Sequence, residues 1–163
     1  MMRTITALPL AAVAVLTAAS ISPGRAAEDH TIIQPDQVQW QAAPPALPKG
    51  AQVAMLYGDP SKEGPFGMRV KVPANYRIPP HTHAKPENVT ILSGALDLGM
   101  GEQADPEKME SLPPGTFFSM QPGVAHYVST KAETIIQVNS MGPWSLDYIH
   151  PQDDPRQAAG AAK

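Results

Sequence analysis

The 163-residue sequence contains no cysteine. Thiol nucleophiles, cysteine zinc sites, iron–sulfur clusters and disulfide staples are therefore excluded, and the fold must be held by its core or by a bound ligand. Positive charge is also scarce: 12 lysines and arginines stand against 15 aspartates and glutamates, and the cations are scattered rather than clustered. No nucleic acid is expected as a partner, because phosphate binding needs a basic face. No apolar run reaches the ~20 residues of a membrane-spanning helix. Internal repeats are absent too, and the length suits one domain.

What the N-terminus does carry is a leader. Arg3 precedes an apolar run from Ile5 to Ala19, followed by SISPGRAA. This pattern predicts a secretory signal peptide over residues 1–26, cut after Ala26 so that Gly24 and Ala26 are the small residues flanking Arg25. The expected location is periplasmic or secreted, with no membrane span once the leader is gone. There is no twin-arginine pair near Arg3, so the chain is expected to cross the membrane unfolded and to take up any cofactor outside.

Residues 27–50 read as an N-terminal arm. QPDQVQWQAAPPALPKG is rich in Pro and Gln, and Pro44, Pro45 and Pro48 would break a helix, which leaves a short edge strand around Val38–Trp40. Residues 51–151 then alternate short apolar segments with turn signals such as GDPSKEG, PAN, SG, PPG and QPG. That is the pattern of an all-β sandwich or barrel. The predicted strands are 52–57, 67–72, 76–81, 88–92, 95–100, 116–120, 126–129, 134–139 and 144–149. One short helical turn is expected over 106–112, with Asp105 as N-cap and Pro106 in the first helical position. Residues 152–163 read as a flexible tail.

Chemistry concentrates in HTHAKPE, His81 to Glu87. Residues two apart on a strand face the same way, so His81 and His83 can converge, and the bend at Lys85 and Pro86 can return Glu87 to the same point. His126 opens a later strand. Three imidazoles and a carboxylate form a mixed N/O set for a divalent metal. His30 and His150 have no such neighbours in sequence and read as surface residues.

These residues resemble the two motifs of the cupin superfamily, G-x5-H-x-H-x3,4-E-x6-G and G-x5-P-x-G-x2-H-x3-N. HTHAKPENVTILSG supplies His81, His83, Glu87 and Gly94, and GTFFSMQPGVAHYVST supplies Gly115, Gly123 and His126. Asn75 replaces the first glycine, Gln121 the proline, and Thr130 the last asparagine, none of them a ligand position. The resemblance implies a double-stranded β-helix, or jelly-roll barrel, with His81, His83, Glu87 and His126 as metal ligands. It also suggests an arm that exchanges in a homodimer.

The metal is expected to be Mn, Zn or Fe, and the function that of an exported metal-dependent enzyme on a small molecule. A dioxygenase is the leading example, with Glu87 taking a substrate proton. The alternative is a non-catalytic metal or small-ligand binding or sensing module. Around the metal, Val89 and Ile91 share the parity of Glu87, and either Phe118 with Met120 or Phe117 with Ser119 faces inward. Gln137 is a candidate polar contact there. Met68, Met100 and Met120 read as core fillers rather than soft copper ligands, and Trp40, Trp144 and Tyr148 as packing residues.

Overall fold

The computed structural model describes residues 30–160, so the leader lies outside the described residues. Strands form where apolar residues alternate. In order they are β1 (Gln41–Ala42), β2 (Gln52–Tyr57), β3 (Gly64–Val72), β4 (Arg77–Thr82), β5 (Glu87–Ser93), β6 (Leu96–Met100), β7 (Glu110–Leu112), β8 (Phe117–Met120), β9 (His126–Ser129), β10 (Thr134–Gly142) and β11 (Asp147–Tyr148). They pair antiparallel into a six-stranded sheet, β1-β2-β3-β10-β5-β8, and a five-stranded sheet, β11-β4-β9-β6-β7. The non-consecutive neighbours are the crossovers of a jelly roll.

Alternation decides what the sheets enclose. On β3, Phe66, Met68, Val70 and Val72 are buried while Arg69 and Lys71 lie on the other face. Val89 and Ile91 on β5 and Val138 on β10 are each at most 2% exposed and complete the same interior. Burial at this density is the main stabilising term, at roughly 25 cal/mol per Å² of apolar surface.

The motif positions prove to be turn positions. Asn75 stands at φ 60, in the left-handed region that Asn tolerates better than most residues. Its N–H donates to the Thr130 carbonyl at 2.9 Å, and the Thr130 hydroxyl donates to Pro73 O at 2.8 Å. Two of the three departures from the cupin motifs, Asn75 and Thr130, thus tie one turn to another. Gly94 has φ +74, and a Cβ there would run into the carbonyl oxygen of Glu133 and the side chain of Thr134. Gly94→Ala is expected to cost about 2–5 kcal/mol by chemical denaturation, combining backbone strain with overpacking; an unchanged midpoint would contradict that packing.

Three expectations about elements need correction. Helical conformation covers only Pro106–Lys108, a 3-10 turn capped as foreseen by Asp105, whose carboxylate accepts from the Glu107 N–H at 3.0 Å. Glu110–Leu112 is a strand instead, because pairing Leu112 with Leu96 buries both. The arm's edge strand is Gln41–Ala42, paired with β2, rather than Val38–Trp40. Of 144–149 only Asp147–Tyr148 pairs, against Thr82 and His81. Beyond it the chain forms a 3-10 turn, Pro151–Asp153, and a helix, α1 (Pro155–Gly160). No helix among the described residues is long and apolar enough to cross a membrane.

Candidate metal centre

The fold brings His81, His83, Glu87 and His126 together. His81 lies near the end of β4 opposite His126 at the start of β9. His83 follows one residue after β4, and Glu87 opens β5 after the Lys85–Pro86 bend. Gly123, in the loop before β9, donates its N–H to the His83 carbonyl at 2.9 Å, so the two motifs are joined through backbone as well as through side chains. All four side chains are buried, His126 to 1% exposure.

Each imidazole is oriented by a backbone carbonyl. His81 Nδ1 lies 2.8 Å from Pro79 O, His83 Nδ1 2.7 Å from Ser145 O, and His126 Nδ1 3.1 Å from Val124 O. A carbonyl can only accept, so Nδ1 is the protonated nitrogen and Nε2 carries the lone pair. The three rings present ligand atoms within 4.8 Å of one another. Glu87 Oε2 stands beside two of them, 3.4 Å from His83 Nε2 and 3.5 Å from His126 Nε2.

Four acceptors thus face one another away from water, and His83 Nε2 has no well-formed hydrogen bond among the described residues. Such an arrangement is unfavourable without a cation. A divalent metal fits the donor set, and the carbonyl behind each ring is the support that histidine ligands ordinarily have. Without a metal, a proton takes the cation's part. Burial works against a charged His83, but the Glu87 carboxylate outweighs it and the pKa is raised. His81 is driven the other way, to about 3, by burial and then by the neighbouring His126 and His83 rings. Burial would lift Glu87, yet His126 and His83 hold it well below the usual carboxylate range.

The cluster borders a cavity of about 50 Å³ between the sheets, walled by Val70, Val89, Phe118, Val128 and Val138 among others. Its volume suits a few waters or the reacting end of a ligand, not a whole organic molecule. On β8 it is Phe118 and Met120 that face inward, while Phe117 is 62% exposed. Gln137 does not reach the cavity. The inner face of β10 is Thr134, Ile136, Val138 and Ser140, and Gln137 instead donates to Asn139 Oδ1 at 3.3 Å on the other face. Met68 also walls the cavity, whereas Met100 is 53% exposed.

Trp144, a packing residue on the sequence pattern, is also part of the site's wall. Its indole stacks on His83, with centroids 4.6 Å apart and planes at 15°, and its edge meets Phe66 at 6.0 Å. Leu47 of the arm reaches the same cavity, and the arm is held there by Tyr148 Oη donating to Ala46 O at 2.9 Å and Tyr76 Oη donating to Pro48 O at 2.6 Å. His150 sits apart, near Gln103 and the Glu102 carbonyl.

Solved structures share this fold at low identity. The polyketide cyclase RemF from Streptomyces resistomycificus is 17% identical over 80% of this chain and 93% of its own, with a TM-score of 0.65. An acetylacetone dioxygenase from Acinetobacter johnsonii is 20% identical over 86% and 94%, at 0.58. An RmlC-like cupin from Shewanella frigidimarina is 13% identical over 71% and 91%, at 0.53. No curated protein matches the sequence. Residues 23–147 match the family described as a domain of unknown function, DUF4437, and with its two antiparallel sheets and the histidines of both motifs in one cavity the chain belongs to that family and has the cupin fold.

Proposed function

We propose that this protein is an exported metal-dependent enzyme that acts on a small organic molecule, with oxygen-dependent cleavage as the leading reaction. The observation that carries the reading is the set of three imidazoles, each locked by a backbone carbonyl so that its Nε2 lone pair points at the others. A divalent ion, Mn, Zn or Fe, would be held by His81, His83 and His126 with Glu87 as the anionic donor, and when bound it supplies Lewis acidity and a template for orienting a ligand.

The chain's own residues do the rest. Valine and phenylalanine walls keep bulk water from the donors, which strengthens every charge interaction inside. Glu87, with its depressed pKa, is a weak base in the resting site. Its first task is therefore to hold charge, and it accepts a proton only from an acidic substrate O–H or C–H placed against it. The leader-like residues 1–26 support loading outside the cytoplasm.

A second reading, a metal-dependent binding or sensing module, is favoured by the small inner cavity, about 50 Å³. Oxygen consumption separates the two. Protein loaded in turn with Mn, Fe(II) and Zn is expected to consume oxygen with at least one catechol or diketone when a redox-active metal is bound. Acetylacetone belongs in the panel because two neighbours of this fold are named as its dioxygenases, one of them putatively. Stoichiometric metal with no oxygen uptake across the panel would favour the binding module; no metal uptake at all would sink both readings.

A further inference from the structure

A second, larger cavity of about 460 Å³ adjoins the metal cavity. The two share Leu47, Met68, Trp144 and Leu146 as lining, so these four side chains form the partition between them. The outer chamber lies between the arm, through Gln41, Pro44 and Ala46, and the barrel, through Val53 and Met55. Its volume is in the range of sites that enclose a whole small organic molecule, whereas the inner cavity holds only a few atoms.

The charged groups of the chamber are already engaged. Asp59 accepts from Ser61 N at 2.9 Å and Ser61 Oγ at 2.7 Å and pairs with Lys62 at 3.0 Å. Arg156 donates to both carboxylate oxygens of Asp154, at 2.8 and 3.0 Å, and to Leu146 O at 3.1 Å. Each charge of the chamber is thus balanced by a neighbouring side chain, so a charged ligand would be desolvated against apolar walls without meeting an uncompensated opposite charge.

One polar group on the partition is unpaired. Trp144 Nε1 is buried and finds no acceptor among the described residues. Indole is a donor only, and leaving it unpaired costs about 1–3 kcal/mol. A ligand that brings an oxygen to Trp144 relieves that cost, and a shift of the indole that exposes the N–H also loosens the partition toward His83.

We infer that the outer chamber binds the body of the substrate, an uncharged one- or two-ring molecule with a carbonyl oxygen, and that Trp144 is the positioning residue that directs this oxygen past the partition toward the histidines. The inference rests on the metal-enzyme reading for its direction, but the chamber is testable without turnover.

Three probes of one shape serve: 2-acetylnaphthalene, 2-ethylnaphthalene, which lacks the acceptor, and 2-naphthoate, which is charged. Equilibrium dialysis against zinc-loaded protein is expected to rank the ketone first. Ala46→Phe, a half-buried arm position, should fill the chamber and reduce ketone binding more than about tenfold while zinc stays unchanged. Trp144→Phe keeps a ring on His83 but removes the N–H. It should erase the preference for ketone over hydrocarbon, roughly three- to tenfold, without loss of zinc or of thermal stability.

Ketone binding insensitive to Ala46→Phe, an unchanged ketone preference in Trp144→Phe, or naphthoate binding as well as the ketone would each overturn the inference. A protein that takes up no zinc yet binds the ketone in an Ala46-dependent way would overturn the metal reading and leave the chamber standing.

Discussion

Replacing His126 by alanine is expected to weaken binding of the divalent metal by more than about a hundredfold, while His150→Ala leaves it unchanged. Loss of a group that merely supports a metal ligand typically costs ten- to a hundredfold, and loss of the ligand itself should exceed that. His126 is packed into the cluster, with centroids 4.3 Å from His81 and 5.3 Å from His83 and its Nε2 3.5 Å from Glu87. Truncating it removes a donor and takes away one of the two imidazoles that stand beside Glu87. His150 lies against Glu102 and Gln103 and has no part in the cluster.

A cavity left at a position 1% exposed also threatens the fold. His126→Gln, closer in volume, is therefore the companion variant, and it should lose metal while keeping a cooperative thermal transition. Metal titration by calorimetry checks both. Wild-type affinity in either His126 variant would remove His126 from the donor set, and with it the case for a metal centre.

The four cluster residues were legible in sequence because each comes with its own spacing. The period of two, carried one residue past the end of β4, puts His81 and His83 on one side, and the bend at Lys85–Pro86 returns Glu87. Of the strands, β9, which carries His126, runs over the residues expected, as does β2 farther from the cluster, since turn signals bound both short segments. Gln137 was misplaced because β10 has apolar residues on both faces, Ile135 on one and Ile136 and Val138 on the other, and its pairing with β5 slips between Ile135 and Ile136. Alternation alone could not choose the inner face there.

Glu110–Leu112 was missed for a different reason. Three residues are too few to show a period, and what makes them a strand is the distant partner Leu96. The stacking of Trp144 on His83 and the hold of Ser145 O on His83 Nδ1 join positions about sixty residues apart. The second contact uses the backbone carbonyl of Ser145, so it leaves no trace in the residue type at that position. A proline-rich arm and a tryptophan after Gly-Pro were visible, but not that Leu47 and Trp144 would separate two cavities.

Acidification is expected to release the metal through His83, and Glu87→Gln to move that release to lower pH. A ligand imidazole must be neutral, so each proton it takes competes with the metal, and affinity falls by up to about tenfold per pH unit for one competing proton. His81 is not the trigger. Burial, and then the His126 and His83 rings, lower its pKa to about 3, so it stays available through the whole acid range of a folded protein. His83 is raised above the ordinary imidazole value of 6.5 because Glu87 outweighs the burial that would lower it. The acid limb of metal binding should therefore begin above that of a free imidazole.

Glu87→Gln removes the raising influence and leaves burial to dominate, so the limb shifts downward in pH even as affinity at neutral pH drops with loss of the anionic donor. The two effects have opposite signs and come from one substitution, which makes the pair hard to imitate by general damage to the fold. Zinc affinity measured by competition with a chelator from pH 8 to pH 5 reads both. An acid limb that stays in place in Glu87→Gln would show that the carboxylate does not control His83, and a neutral-pH affinity that also stays in place would take Glu87 out of the metal centre.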